Sequence, residues 1–126
     1  MRFAAAINCM DGRTQLPVIR YLTARLEVAF VDMITAPGAV RWLCEETDCR
    51  ERERLLAHLA VSLERHQAKD IAIVAHHDCA GNPLPDDAQK RQLQAAARFL
   101  GRRYPGCRIL PLWLDAAFCV EELAAG

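Results

Sequence analysis

Two short stretches of the sequence place side chains that bind soft metal ions at the ends of apolar runs. Cys9 ends the first run, and His76 ends a second run and is followed three residues later by Cys79. Two thiolates and one imidazole suit zinc in tetrahedral geometry. Three protein ligands leave the fourth position for water, which is the arrangement of a catalytic zinc site. The two stretches therefore predict a Zn²⁺ site made by Cys9, His76 and Cys79.

Asp11 and Arg13 follow Cys9 closely and are predicted to face one another in a loop. The planar guanidinium of Arg13 can hold the carboxylate of Asp11 in place. Held there, an ionised Asp11 would accept a hydrogen bond from zinc-bound hydroxide and orient it at a substrate carbon. Released from Arg13, Asp11 could instead become the fourth zinc ligand and close the site. Both alternatives stay open at the level of the sequence.

The other four cysteines are not expected to carry chemistry. Cys107 and Cys119 sit among apolar residues and are predicted to be small core side chains. Cys44 and Cys49 are five residues apart and do not share a helical face, so we expect packing or surface roles. No C-x-x-C is present, which disfavours a thiol redox protein.

The elements that must position the metal ligands alternate between strand and helix patterns. Strands are predicted at 3–9, 28–34, 70–76 and 107–114, and helices at 16–26, 40–66 and 85–104, with the segment 116–126 left untyped. This alternation is typical of βαβ units, so we predict a single-domain, three-layer α/β fold with a mostly parallel sheet of four to five strands and helices on both faces. A strand order of 2-1-3-4 would make the first and third strands neighbours, and ligands bind at such a switch point.

The long predicted helix at 40–66 has one apolar stripe. Arg52 and His58 fall on other faces, and His58 and His66 are predicted to be solvated helix positions.

Composition bounds the class of protein. The 126 residues fit one domain, 1–126, and 16 basic residues balance 16 acidic ones. A neutral chain lacks the electrostatic footprint of nucleic-acid binding and the basic bias of a membrane-surface protein. No apolar run reaches membrane-spanning length, and the apolar run at the N-terminus is too short for a signal peptide. We therefore expect a cytoplasmic protein without nucleic-acid or membrane partners.

The two motifs together resemble a known family. C-x-D-x-R after the first strand and H-x-x-C after the third resemble the zinc site of β-class carbonic anhydrases. The segments "LEVAFVDMITAPGAV" (26–40) and "HLAVSLERHQAKDIAIVAHHDCAG" (58–81) also resemble that family. The resemblance implies zinc on Cys9, His76 and Cys79, with Asp11 and Arg13 as the orienting and gating dyad, and reversible hydration of carbon dioxide to bicarbonate.

The sequence departs from the family pattern beside the metal motifs. "TAPGA" (35–39) stands where the family has an "RNAGN"-like turn. Ala75 and Ala80 replace glycines on either side of the H-x-x-C motif, and Gly81 is displaced by one position.

Three functions remain open. The first is a zinc-dependent carbonic anhydrase, in which His77 could act as a proton shuttle because its unperturbed pKa lies near neutrality. The second is a zinc hydrolase of another small substrate. The third is a non-catalytic zinc-binding module with a closed site formed by the two cysteines, His76 and Asp11. A homodimer is also possible, with Trp113, Phe118 and Val120 offering apolar surface.

Overall fold

A computed structural model describes residues 1–44 and 49–124 of the chain. The elements are β1 (Phe3–Cys9), α1 (Gly12–Leu26), β2 (Phe30–Ala36), a 3₁₀ turn (Ala39–Trp42), α2 (Arg50–Arg65), β3 (Asp70–His76), α3 (Asp86–Arg103), β4 (Arg108–Leu114) and β5 (Val120–Glu122). The sheet order is β2-β1-β3-β4-β5. Strands β1 to β4 are parallel, and β5 is antiparallel to β4. The predicted fold class and the order 2-1-3-4 are confirmed, and the untyped segment supplies the fifth strand.

The two faces of the sheet carry separate apolar cores. On one face, Ile7 and Ile73 pack with Leu59 of α2 and with residues of α3. On the other face, Ala6 packs with Leu22 of α1. Alternate residues of a strand point to opposite faces, so the near-continuous apolar runs of β1 and β3 are what a sheet covered on both sides requires. No helix within the described ranges is long and apolar enough to cross a membrane.

The predicted helix at 40–66 is wrong in its first half. The chain forms a 3₁₀ turn over Ala39–Trp42, and α2 begins only at Arg50. Residues 45–48 of the predicted helix lie outside the described residues. Arg52 lies off the predicted apolar stripe but is buried: its Nε donates to the carbonyl of Trp42 at 2.9 Å, and its Cζ lies 4.4 Å from the centre of the Phe99 ring.

The first helix begins earlier than its pattern predicts. Helix α1 begins at Gly12, well before the predicted start at Leu16, and includes Pro17. The cause is an N-cap: Oδ1 of Asp11 accepts a hydrogen bond from the backbone N–H of Arg13 at 2.9 Å. Asp11 and Arg13 therefore do not lie in a free loop but at the start of a helix.

Several predicted environments need correction. Trp113 lies fully inside the core, so it offers no surface to a partner. Cys119 is exposed and Cys107 only partly buried, which contradicts their prediction as core residues, because each lies in the connection just before a strand, Cys107 before β4 and Cys119 before β5. His58 is exposed as expected. His66 is also exposed, but its Nδ1 lies 2.7 Å from Oδ2 of Asp32.

Asn8 is fully buried, and neither polar atom of its side-chain amide has a hydrogen-bond partner. Burying an unpaired polar group costs roughly 1–3 kcal/mol. We therefore expect Asn8→Val to raise the free energy of unfolding by about 1–3 kcal/mol, measured by denaturant titration. Asn8→Asp serves as the matched comparison and should be destabilising, since it buries a charge. A decrease in the free energy of unfolding of Asn8→Val would contradict this prediction and show that the Asn8 amide stabilises the fold.

Candidate metal centre

The carboxyl ends of β1 and β3 bring three metal-binding side chains together. Cys9 ends β1, His76 ends β3, and Cys79 lies in the loop that follows. Because the strands are adjacent and parallel, their carboxyl ends meet at one edge of the sheet. The ligand atoms of the three residues all lie within 4.8 Å of one another, and the two Sγ atoms are 3.8 Å apart. All three residues are buried.

The ring of His76 is oriented with one nitrogen towards the cluster. Its Nδ1 lies 2.7 Å from the backbone carbonyl of His77, so Nδ1 carries the proton and donates it to that oxygen. Its Nε2 is buried and has no hydrogen-bond partner. Metal-binding histidines commonly donate their other ring N–H to a carbonyl or carboxylate in this way. The unpartnered Nε2 is therefore an available ligand atom.

The two thiols differ in how readily they ionise. Burial raises the pKa of Cys9, but the imidazole of His76 and the backbone N–H groups of Gly38 and Asp11 outweigh burial and lower that pKa to about 7. Gly38 donates to Sγ of Cys9 at 3.4 Å. Burial and the neighbouring Cys9 raise the pKa of Cys79. A cation would stabilise both thiolates, so the cluster favours a metal over two free thiols.

Asp11 and Arg13 form a bidentate ion pair beside the cluster. Nη2 of Arg13 donates to Oδ2 of Asp11 at 2.7 Å, and Nε donates to Oδ1 at 3.1 Å. These hydrogen bonds lower the pKa of Asp11 to about 2, so the carboxylate is ionised at neutral pH. The same Oδ2 lies 4.0 Å from Nε2 of His76. The dyad that the sequence predicts is formed, and it reaches the cluster.

Side chains of α1 fix the chain between Cys9 and Asp11. Nε2 of Gln15 donates to the carbonyl oxygens of Cys9 at 2.8 Å and of Asp11 at 3.0 Å. Oγ1 of Thr14 donates to the carbonyl of Asp11 at 2.7 Å. The first turn of α1 therefore positions both a candidate metal ligand and the dyad.

Two glycines let the loops after β2 and β3 touch backbone to backbone. A Cβ on Gly81 would lie 2.6 Å from the carbonyl carbon of Pro37 and 2.7 Å from the nitrogen of Gly38. Gly38 has φ +55°, which favours glycine. This contact brings the loop that carries Cys79 against the loop whose amide binds Cys9.

The structure brings together five of the predicted site residues and leaves the others apart. Cys9, His76, Cys79, Asp11 and Arg13 lie in one cluster. His77 is not part of this cluster. Its Nδ1 lies 2.8 Å from Oδ1 of Asp86. Cys44 and Cys49 are partly buried and outside the cluster, as expected.

Sequence reasoning missed several residues that support the site, among them Thr14 and Gln15 in the first turn of α1. The Pro-Gly pair at 37–38 did signal a tight turn, and Gly81 was noted as a displaced family glycine, but neither glycine was linked to the site. Phe118 was noted only as an apolar residue, yet its ring centre lies 4.6 Å from Cζ of Arg13 and 5.9 Å from the centre of the His76 ring. Phe118 lies 39 residues after Cys79, the last candidate ligand, and no local sequence pattern indicates that it reaches the site.

The cluster fits a tetrahedral zinc ion. With Zn–S bonds of about 2.3 Å, tetrahedral geometry places two sulfurs about 3.8 Å apart, and the Sγ atoms of Cys9 and Cys79 lie at that separation. The donor set of two thiolates and one imidazole is one that zinc prefers. The unpartnered Nε2 of His76 would supply the third ligand atom.

The five-stranded, mostly parallel sheet matches the fold of a solved β-carbonic anhydrase. The chain belongs to a carbonic anhydrase family: the family model described as "Putative carbonic anhydrase" matches residues 1–124. No curated protein sequence matches the chain.

Solved structures of carbonic anhydrases share the fold at low sequence identity. A carbonic anhydrase from Glaciozyma antarctica is 15% identical, with a TM-score of 0.65 over 95% of this chain and 81% of that one. The β-carbonic anhydrase isoform I of the protozoan Trichomonas vaginalis is 16% identical, with a TM-score of 0.60 over 94% and 80%. One of two tetrameric β-carbonic anhydrases of the ascomycete Sordaria macrospora is 14% identical, with a TM-score of 0.56 over 96% and 80%.

Proposed function

We propose that the protein binds Zn²⁺ through Cys9, His76 and Cys79 and catalyses the reversible hydration of carbon dioxide to bicarbonate. The observation that carries this proposal is the unpartnered, buried Nε2 of His76 facing two thiols beside an ionised carboxylate. Membership of a carbonic anhydrase family supports the reaction class. When bound, zinc would act as a Lewis acid that makes a water molecule nucleophilic at neutral pH.

In the proposed reaction Asp11 orients the attacking water. Its carboxylate is held by two hydrogen bonds from Arg13 and lies 4.0 Å from Nε2 of His76. An ionised carboxylate accepts hydrogen bonds only, so it fixes which lone pair of the water faces the substrate. Arg13 keeps Asp11 in this role and away from the metal position.

Proton release is assigned to His77 in this proposal. Its side chain is 41% exposed, and Nδ1 lies 2.8 Å from Asp86. A partly exposed imidazole with one nitrogen fixed can pass protons to buffer through the other.

A second candidate is a non-catalytic zinc module in which Asp11 completes the ligand set. The separation of 4.0 Å between Oδ2 of Asp11 and Nε2 of His76 favours it, because a small rotation of Asp11 would bring the carboxylate to the metal position. Loss of the Arg13 hydrogen bonds would have to accompany that rotation.

Measurement of bound zinc and stopped-flow carbon dioxide hydration separates the two candidates. We expect about one zinc per chain in both wild type and Asp11→Asn, and a decrease in kcat/KM of about 100-fold in Asp11→Asn, because the water loses its orientation. Asn is as good an N-cap as Asp, so the start of α1 is preserved in this variant. Zinc at one per chain without activity from pH 7 to 9 would contradict the carbonic anhydrase and leave the closed module or a zinc hydrolase of another small substrate.

A homodimer is also proposed, through the half-buried Phe118 and Val120 but without the buried Trp113. Light scattering that gives a monomer at micromolar concentration would contradict it.

A further inference from the structure

Phe118 lies against two components of the candidate site at once. The Cζ atom of Arg13 is 4.6 Å from the centre of the Phe118 ring, within the range of a cation–π interaction. The same ring lies 5.9 Å from the ring of His76, with the planes at 42°. One side chain from the β4–β5 connection therefore contacts both the dyad and a proposed ligand.

The backbone at Phe118 is held in an unfavourable conformation by a built turn. Its φ is +57°, in the left-handed region that bulky residues seldom adopt. The N–H of Phe118 donates to the carbonyl of Asp115 at 2.8 Å, and Oδ1 of Asp115 accepts from the N–H groups of Ala117 and Cys119. Strained residues persist where the surroundings over-determine them, often at functional sites.

Arg13 has two carboxylates within reach, so its orientation is not fixed by charge alone. Besides its bonds to Asp11, Nη1 lies 3.4 Å from Oδ2 of Asp78, and Nη2 donates to the carbonyl of Asp78 at 3.1 Å. The carboxylate of Asp78 is 74% exposed and that of Asp11 is 20% exposed. The bidentate hydrogen bonds to Asp11 therefore compete with a second carboxylate, and a contact on the guanidinium can bias that competition.

We propose that Phe118 is a positioning residue that keeps Arg13 bound to Asp11. Its ring, 4.6 Å from Cζ of Arg13, attracts the cation and takes the place of water on that side. The N–H groups of Arg13 are then left pointing along the plane towards Asp11 and the carbonyl of Asp78. Any effect of this positioning on catalysis rests on the proposed function. The contact between the Phe118 ring and the Arg13 guanidinium is independent of that function.

The test is the mobility of the Arg13 side chain, measured by ¹⁵N relaxation and water exchange of its Nε–H. The signal is assigned by its loss in Arg13→Lys. We expect Phe118→Leu to speed water exchange of this N–H roughly two- to fivefold, the effect of losing an exposed cation–π contact. Phe118→Tyr keeps the aromatic face and should match wild type. Phe30→Leu, at an aromatic residue on the β2 edge, is the matched control and should also match wild type.

Phe118→Gly is the second variant, because glycine adopts the positive φ without strain. It removes the ring, which packs at the edge of the core, without leaving backbone strain behind. We expect it to lose some stability and to loosen Arg13. Arg13 exchange unchanged from wild type in Phe118→Leu or Phe118→Gly would overturn the proposal, whatever their stability.

An activity measurement links the proposal to the reaction. With zinc content unchanged, Phe118→Leu should lower kcat/KM for carbon dioxide hydration roughly two- to fivefold. Phe118→Tyr should keep the wild-type kcat/KM. Unchanged kcat/KM in Phe118→Leu would count against the proposal. If wild type itself hydrates no carbon dioxide, the proposed function fails, and the Arg13 exchange rates still decide the role of Phe118.

Discussion

Replacing Cys79 with serine is expected to abolish stoichiometric zinc binding. Its Sγ lies 3.8 Å from that of Cys9, and both belong to the only such ligand cluster within residues 1–44 and 49–124. A serine hydroxyl is a poor zinc ligand beside a thiolate. Loss of a residue that merely supports a ligand costs 10–100-fold in metal affinity, so loss of the ligand itself should weaken binding by more than about 100-fold.

Zinc loss in Cys79→Ser should also appear as lost stability. A ligand that binds only the folded state stabilises it in proportion to the logarithm of its concentration over Kd, and each 100-fold in Kd is worth about 2.7 kcal/mol. We expect the Tm of zinc-loaded wild type to fall on chelation, whereas the Tm of Cys79→Ser should not respond. Metal content is measured by atomic emission, and Tm by calorimetry.

Cys107→Ser is the matched control for this experiment. Cys107 is a partly buried thiol outside the cluster, so this variant should bind about one zinc per chain and respond to chelation like wild type. Equal zinc content in Cys79→Ser and wild type would show that Cys79 is not a zinc ligand. Wild type that contains no zinc, although zinc was available during preparation, would contradict the metal centre itself.

The central strands could be predicted from the sequence because they are buried on both faces. A strand covered on both sides is apolar along most of its length, so polar residues mark its ends: β3 was predicted at 70–76 and is observed at Asp70–His76. The edge strand β5 was not predictable, since it has only three residues, mostly exposed, and is defined by its pairing with β4. The start of α1 was misplaced because the N-cap bond of Asp11 outweighs the periodic pattern near Pro17.

The ligand cluster was predictable for the same reason as the sheet. Cys9 and His76 end two strands, and parallel neighbours carry their carboxyl ends to one edge. The support around the ligands was not predictable, because it comes from distant segments: the amide of Gly38, the close backbone approach of Gly81 and the ring of Phe118. Contacts of this kind depend on three-dimensional packing and leave no periodic signal in the sequence.

Gly81→Ala is expected to destabilise the fold and weaken zinc binding together. The added Cβ would lie 2.6–2.8 Å from atoms of Pro37 and Gly38, and two of these three contacts are with backbone. Backbone cannot rotate away as a side-chain tip can, so the two loops must separate. Overpacking of this kind costs about 1–3 kcal/mol in the free energy of unfolding.

The expected loss of zinc affinity in Gly81→Ala follows from the residues in the loops after β2 and β3. Cys79 lies two residues before Gly81, and the amide of Gly38 donates to Sγ of Cys9. Moving the loops apart would lengthen the separation of the two thiols from 3.8 Å and remove a donor from the Cys9 thiolate. We expect zinc affinity to fall about 10–100-fold, the usual cost of disturbing the support of a ligand, measured by competition with a chelator of known affinity.

Gly106→Ala provides the comparison that isolates the steric effect. A Cβ at Gly106 would meet nothing within 4 Å, and this glycine has no positive φ. Substitution of glycine by alanine at a compatible position stabilises a protein by about 0.4–1 kcal/mol, because it restricts the unfolded chain. The two variants should therefore change stability in opposite directions, and only Gly81→Ala should release zinc. If Gly81→Ala kept both wild-type stability and wild-type zinc affinity, the backbone contact between the two loops would not be what sets the distance between the thiols.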